Sequence, residues 1–326
     1  MKLTTRVEKW PYVSPFRITD HVFTSAEVVV VTLEDESGIG RGEADGVYYH
    51  DETPESIVGE IESVRGAVEE GIDRESLRHL LPPGGARNGL DCALWDLEAK
   101  RSGKPAWQIA GIPKPRPLLT TFTVSAGTPD EMAKAAKDYT RVRAIKVKLT
   151  REDPADCVRA VRAARPDVWL GVDANQAFDR PSLERLIPVL KEADVSLIEQ
   201  PFAIGCDADL DGLSCPIPIA ADESLQSLAD VEAMADHYGA INIKLDKCGG
   251  LTEGLAMAGK ARRAGLKVMV GCMAGTSLAM APAFLLGQLC DLVDLDAPNF
   301  LARDREHAAR YANGELYCSD SLWGGV

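Results

Sequence analysis

A row of charged residues at near-regular spacing constrains the fold of this 326-residue chain more than any other feature. Lys146 with Lys148, then Asp173, Glu199, Asp222, Lys244, and Asp294 with Asp296 stand at the ends of short β-rich runs: AIKVK, VWLGVD, VSLIE, IPIAAD, INIK and DLVD. From Lys148 to Lys244 the steps are 22 to 26 residues; a step of 28 then leads to Cys272, after LKVMVG, and one of 22 to Asp294. A strand, a helix and two short connections take about that length. Charges at the carboxyl ends of successive parallel strands converge on the mouth of a β/α barrel. Eight strands are therefore expected, the first in TTFTVS, ending near 125, 148, 173, 199, 220, 244, 270 and 294.

The region before the barrel reads differently. Ala26–Leu33 is a strand, residues 35–38 a turn, and residues 40–44 begin the return strand. Gly38, Gly40 and Gly42 are spaced like part of a phosphate loop, but no helix follows, which favours a hairpin. Apolar residues at three- and four-residue spacing predict helices over 55–71 and 88–103, starting at Thr53-Pro54-Glu55 and Arg87-Asn88. Pro113-Lys114-Pro115-Arg116-Pro117 is the linker candidate, and the tail beyond Pro298 is expected to return to the first region.

A net charge of −14 argues against nucleic-acid or anionic-membrane partners. Eight cysteines without a CxxC pair or a histidine cluster read as dispersed thiols in a reducing cytoplasm. The start lacks an apolar signal core, and no apolar run reaches the ~18 residues of a membrane span. A cytoplasmic protein acting on a small molecule is expected, with homo-oligomerisation left open.

Residues i and i+2 of a strand share a face. Lys146 and Lys148 should thus both point into the barrel, as should Asp173 with Asn175, Lys244 with Asp246, and Asp294 with Asp296. A single such lysine can snorkel, and a single strand-end acid is more often a helix cap; Asp222 before Glu223-Ser224 could be one. Two lysine sites facing three successive acids fit neither description. Asp173, Glu199 and Asp222 are hard oxygen donors suited to Mg²⁺. Lys148 and Lys244 lie four strands apart, on opposite sides of the cavity, so a carbon acid held between them could lose a proton to one and regain it from the other. Moving a proton from an α-carbon of pKa roughly 30 to an amine near ~8 costs about 30 kcal/mol. A turnover of ~10 per second allows only ~16 kcal/mol. The missing ~14 kcal/mol must come from a metal ion and cationic side chains around the developing enediolate. Lys146 is placed to contact the substrate carboxylate. A barrel lysine could instead attack a carbonyl, as in a Schiff-base aldolase, but the carboxylate triad disfavours that reading.

The motifs Lys146-Val147-Lys148, Val172-Asp173-Ala174-Asn175-Gln176, Ile198-Glu199-Gln200-Pro201, Ala221-Asp222-Glu223-Ser224, residues 242–247 (NIKLDK), Gly271-Cys272-Met273 and residues 88–96 (NGLDCALWD) resemble the enolase superfamily, muconate-lactonizing subgroup. Within it the chain looks most like the dipeptide epimerases, over essentially its whole length. The resemblance implies an α/β fold, a modified TIM barrel of (β/α)₇β form with an α+β capping domain. Residues 1–115 would be the cap, 116–297 the barrel, and 298–326 a tail returning to the cap. It implies an isomerase using one Mg²⁺ per active site, held by Asp173, Glu199 and Asp222. Lys148 and Lys244 would carry out a 1,1-proton transfer through an enediolate, the known use of lysine and Mg²⁺ in this superfamily.

The resemblance also implies that Asp294-Leu295-Asp296 holds the α-ammonium of a dipeptide. Two inward carboxylates suit a cation, although an acidic helix start would look the same. Lys146, Thr123 and His21 join them as substrate-binding candidates, supported from behind by Asn175, Glu223 and Asp246. Residues 14–21 (SPFRITDH) resemble the family's specificity loop, and His21 stands where Glu-handling members carry an arginine. A neutral imidazole does not replace a bidentate guanidinium toward a carboxylate, which points away from Ala-Glu as the preferred substrate. Tyr48, Tyr49 and His50 form a second candidate lid, either lining an aromatic-tolerant pocket or packing on the cap. The alternatives on the same scaffold are an N-acylamino acid racemase, a muconate cycloisomerase and an o-succinylbenzoate synthase.

Overall fold

Eight short strands pair in parallel, in sequence order, from Phe122–Val124 through Ala144–Lys148, Trp169–Asp173, Leu197–Glu199, Ile219–Ala221, Ala240–Lys244 and Lys267–Gly271 to Leu292–Val293. The amide of Thr121 donates to the Val293 carbonyl at 3.0 Å, joining the last strand back to the approach of the first and closing the barrel. The structure is a computed structural model that describes residues 1–19 and 21–326. The strand ends fall within one or two residues of those expected from the charge spacing.

Strand pleating sorts the side chains. Ile145, Val147, Leu170, Val172, Ile198, Ile241, Ile243, Val268 and Val270 point outward into one continuous core with Val158, Val161, Leu183, Leu190, Leu251 and Met257 of the surrounding helices. Inside the barrel, Leu197, Ala220, Ala240 and Met269 pack with Trp169 and Leu292 as an apolar floor. Two residues further along the same face of each strand come the polar groups: Glu199 follows Leu197, Asp222 follows Ala220, and Asn242 and Lys244 follow Ala240.

The connections are less regular than the spacing suggests. Full helices run over Pro129–Asp138, Pro154–Ala164, Arg180–Glu192, Leu251–Arg263 and Ser277–Gly287. Between Glu199 and Ile219 there is only a 3₁₀ turn, Asp207–Leu210, and between Ala221 and Ala240 a single helical turn, Val231–Met234. These two crossovers have the strand-to-strand spacing of a helix without containing a full one.

Before the barrel, Lys2–Ile18, His21–Asp35 and Gly38–Ala44 form an antiparallel sheet. The hairpin read from residues 26–44 is present, extended by a long first strand. The helix expected over 55–71 is broken at Val64 into Pro54–Ser63 and Arg65–Glu70, with Thr53 and Ser56 forming a capping box at its start. A further helix, Arg74–Leu80, was not apparent from the periodicity. The second expected helix runs over Gly85–Ser102 and packs on the strand Gly38–Ala44.

That packing gives Gly40 and Gly42 their purpose. A Cβ on Gly42 would collide with the Gly89 carbonyl oxygen, and one on Gly40 with that of Ala93. The glycines let helix and sheet backbones touch. Gly42→Ala is expected to destabilise the fold by about 1–3 kcal/mol or more, read as a lowered urea midpoint of unfolding, because the colliding groups are backbone. An unchanged midpoint would contradict this account of the contact.

Several buried bonds tie this region to the barrel. Asn88 Nδ2 and the Asp45 amide both donate to Asp246 Oδ1, at 2.8 and 3.1 Å. Thr252 donates its amide to Asp91 at 3.0 Å and its hydroxyl at 2.5 Å, and the Thr276 amide donates to Glu43 Oε1 at 2.6 Å. From the tail, Trp323 Nε1 donates to the Arg41 carbonyl at 2.9 Å, and Arg305 pairs with Glu8 at 2.8 Å and with Glu43. No helix among the described residues is long and apolar enough to cross a membrane.

Candidate active site

Register places the central groups side by side. Lys148 is the cross-strand partner of Asp173, and Asp173 of Glu199, so three successive strands present charged side chains at one level of the barrel mouth. Asp222 follows the end of the next strand, and Lys244 ends the sixth. Carboxylate oxygens of Asp173, Glu199 and Asp222 lie within 4.8 Å of one another, and all three residues are buried.

Lysines surround this triad. Lys148 Nζ donates to Asp173 Oδ2 at 2.6 Å. Lys244 Nζ lies 2.7 Å from Asp222 Oδ2, and Lys247 Nζ donates to Asp222 Oδ1 at 2.5 Å. Lys146 Nζ sits 3.3 Å from Glu199 and 3.4 Å from Asp173, and is in contact with Asp294. Asn242 Nδ2 donates to Glu199 Oε1 at 2.7 Å. Asp222 is therefore not a helix cap: its side chain is committed to two lysines.

The electrostatics follow from crowding without solvent. Burial, then the Asp173 charge, pushes Glu199 up to about 8. Burial also works against ionised Asp173 and Asp222, but Lys148 and Lys146 hold the former, and Lys244 and Lys247 the latter, below the usual carboxylate range. Burial disfavours the charged lysines, yet Asp294 and Glu199 outweigh it at Lys146, and Asp222 and Glu199 at Lys244, so both are held well above an ordinary lysine.

The residues fit a divalent ion. The donor set is all hard oxygen, without thiol or imidazole, as Mg²⁺ requires. Asp222 Oδ2 is fully buried and accepts no well-aligned hydrogen bond, the Lys244 ammonium being its close neighbour.

Above the triad is a cavity of about 320 Å³. Lys148 and Lys244 both reach it, from the second and sixth strands, together with Lys146, Asn175, Glu223 and Thr123. Asp294 and Asp296 line the same cavity next to Thr123, whose amide donates to Asp296 Oδ2 at 2.6 Å. Asp296 opens a short 3₁₀ turn, but its side chain does not cap it. Glu223 Oε1 accepts from Asn175 Nδ2 at 3.1 Å, while its Oε2 has no partner among the described residues.

Two candidate site residues lie elsewhere than expected, Asp246 from strand parity and His21 from the resemblance to a specificity loop. Asp246 does not share the inward face of Lys244, because the strand ends at Lys244 and residues 245–248 turn into a helix. Its carboxylate points instead at Asn88 and Asp45 beneath the first region. His21 is exposed and does not line the cavity; its ring packs behind Tyr48, with centroids 4.6 Å apart. The stretch 14–21 is not a free loop, since Phe16–Ile18 pairs with His21–Phe23; Asp20 lies outside the described residues. Of the second candidate lid, Tyr48 and Tyr49 line the cavity, and His50 bonds to Gln226 at 2.9 Å.

Three contributors were not singled out from sequence. Asn242 was detectable, being two residues before Lys244 on the same strand face. Lys247 was not, because it reaches Asp222 from the helical turn after the strand. The aromatic wall of Tyr12, Phe16, Phe23 and Phe300 comes from segments far apart in the chain and carries no local signal.

Comparison with known proteins agrees with this geometry. Residues 1–111 match the mandelate racemase / muconate lactonizing enzyme N-terminal domain, and residues 130–320 match the enolase C-terminal domain-like family. The chain is 41% identical to the L-Ala-D/L-Glu epimerase of Escherichia coli K12, over 95% of this chain and 97% of that one. It is 37% identical to an N-acetyl-D-glutamate racemase of Pseudoalteromonas, over 92% and 96%. An enolase family member from Agrobacterium tumefaciens with homology to dipeptide epimerases, solved with sodium and L-Ala-L-Glu, superposes with a TM-score of 0.96 at 41% identity, over 99% of both chains. A dipeptide epimerase from Methylococcus capsulatus, solved with Mg and L-Arg-D-Lys, gives 0.90 at 31% identity, over 98% of this chain and 96% of that one.

Proposed function

Because the chain belongs to the mandelate racemase / muconate lactonizing enzyme family of the enolase superfamily, we propose that it is a Mg²⁺-dependent isomerase that epimerises dipeptides. The observation that carries this reading is one cavity holding Lys148 and Lys244 from strands four apart, with the acid triad below and Asp294 and Asp296 at its side.

The substrate carboxylate sits toward the triad and Lys146. Lys146 is suited to be a fixed cation rather than a base, since it pairs with Asp294, which lies outside the triad and would keep its charge with a metal bound there, whereas the acids beside Lys244 belong to the triad. Lys148 takes the α-proton from one face, and Lys244 delivers a proton to the other, inverting the centre; the roles reverse for the opposite epimer. When bound at Asp173, Glu199 and Asp222, Mg²⁺ would supply positive charge to the carboxylate as the proton leaves and offset the acids that hold the proton on Lys244. Asn242 fixes one Glu199 oxygen, and Lys247 fixes one Asp222 oxygen, which keeps the triad oriented.

Asp294 and Asp296 receive the α-ammonium. Burial, then the Asp294 charge, pushes Asp296 up to about 7, a cost that an arriving cation relieves. Two observations favour a second reading, an N-acylamino acid racemase. Asp294 already pairs with Lys146, and a relative of 37% identity bears an N-acetyl-D-glutamate racemase name. The two readings separate on Asp296→Asn. A dipeptide epimerase loses a charge-assisted bond to the ammonium, so KM for dipeptides should rise on the order of 10- to 100-fold with Mg²⁺ affinity unchanged. An unchanged KM would remove Asp296 from ammonium binding.

The proposed division is a cap over residues 1–115, a barrel over 116–297 and a tail over 298–326. The antiparallel sheet before Ala44 and the tail's bonds to Glu8, Arg41 and Glu43 support it. A cytoplasmic location is consistent with eight free thiols.

A further inference from the structure

The substituents of the reacting carbon leave one direction open. Its carboxylate faces the triad and Lys146, its amide nitrogen carries the amino-terminal residue whose ammonium faces Asp294 and Asp296, and its hydrogen faces Lys148 or Lys244. The fourth substituent, the side chain, must project away from the barrel floor into the mouth, where the first two strands, the turn at Tyr48 and the tail close over the cavity.

That part of the wall is aromatic. Phe16 and Phe300 pack with centroids 4.7 Å apart, and Phe23 packs edge-on to Tyr48 at 5.6 Å. All four line the cavity and are half-buried. His21 packs against Tyr48 with ring centroids 4.6 Å apart and does not line the cavity. Among the described residues, the cations lining the cavity are Lys146, Lys148 and Lys244, each paired with barrel acids.

The acids of this wall are also committed. Asp45 accepts from the Gly46 and Ala274 amides, at 2.9 and 3.1 Å. Glu52 accepts from the Val47 and Gly85 amides, at 2.8 and 3.1 Å. Glu27 is exposed and pairs with Lys9. Glu223 lies on the barrel side, one residue past Asp222; its Oε1 is bonded to Asn175 and its Oε2 has no partner among the described residues. A side-chain carboxylate entering the mouth would lose its hydration and find no unpaired cation, only the hydroxyls of Tyr12, Ser25 and Tyr48, and a side-chain cation would meet rings and, on this wall, already-bonded acids. A large uncharged side chain loses nothing and buries apolar area.

Resting on the dipeptide reading above, we propose that the epimerised residue carries a bulky uncharged side chain, aliphatic or aromatic, and that Phe16, Phe23, Tyr48 and Phe300 select it. This sets the chain apart from the similar structure solved with L-Ala-L-Glu.

The test uses the Mg²⁺-loaded enzyme and L-Ala-L-X dipeptides with X as Leu, Phe, Met, Glu or Lys, following α-deuterium uptake in D₂O by mass. The Leu, Phe and Met dipeptides should exceed the Glu and Lys ones in kcat/KM on the order of 100-fold. Phe23→Arg should narrow the Leu-to-Glu ratio by about 10-fold or more, since it gives a carboxylate its missing cationic partner. Fastest exchange with Ala-Glu or Ala-Lys overturns the side-chain inference while leaving dipeptide epimerisation standing. Absence of exchange from every dipeptide, with exchange from N-acylamino acids, overturns the dipeptide reading and this inference with it.

Discussion

Replacing Lys148 by alanine is expected to cut net epimerisation by about 10³-fold or more, while one epimer still exchanges its α-hydrogen with solvent. The two lysines reach the cavity from opposite sides of the barrel, each beside its own acid: Lys148 by Asp173 at 2.6 Å and Lys244 by Asp222 at 2.7 Å. With Lys148 gone, the epimer whose hydrogen faces Lys244 can still lose and regain it on that side, without inversion. Lys244→Ala should show the mirror pattern, with exchange confined to the other epimer. Following deuterium uptake and inversion separately, from each pure epimer, distinguishes this from general loss of structure, which would abolish both exchanges in both variants. Normal inversion by Lys244→Ala would require a single base or another acid.

The second large effect concerns the triad. Chelation should abolish activity and Mg²⁺ restore it. Glu199→Gln should lose Mg²⁺ binding and about 10³-fold or more of the rate. This is the cleanest of the three substitutions, because a glutamine keeps the oxygen that accepts from Asn242 and occupies the same volume. Asp173→Asn and Asp222→Asn should also lose the metal, but Asp222 balances both Lys244 and Lys247. Removing its charge leaves buried ammonium groups unpaired, and a lowered melting temperature is expected there as well. Titration calorimetry with Mg²⁺, alongside thermal melts, separates the two effects. Full activity in a chelated sample would remove the triad from the reaction.

The barrel was legible because its strands are short, β-branched and punctuated by charge, so that position along the chain maps onto position around the mouth. Lys148, Asp173, Glu199 and Lys244 were found for that reason: each sits on a strand, where side-chain direction follows from parity. Prediction weakened where the strand stops. Asp246 obeys the parity of Lys244 in sequence but lies on a helical turn, and its side chain goes to Asn88 instead of the cavity. Lys247 is reached from the same turn and turned out to hold Asp222. The crossovers after Glu199 and Ala221 have helical length without a full helix, because spacing measures chain length and not conformation. Gly40 and Gly42 do lie in the expected hairpin, but the reason they are glycines, contact with the helix Gly85–Ser102, is a tertiary one. The aromatic wall is the extreme case: Phe16, Phe23, Tyr48 and Phe300 meet only once the first strands, the 3₁₀ turn and the tail have assembled.

The central claim is that the α-carbon of a free dipeptide loses its proton to one lysine on one face and gains another from the second lysine on the opposite face. Its most direct test is to incubate the Mg²⁺-loaded protein with a stereochemically pure dipeptide in D₂O, and in parallel with its N-acetylated form. The account predicts inversion of the carboxyl-terminal residue with one deuterium gained at its α-carbon, from the free dipeptide and not from the acetylated one. Faster racemisation of N-acylamino acids than of any free dipeptide, or inversion without deuterium, would contradict it.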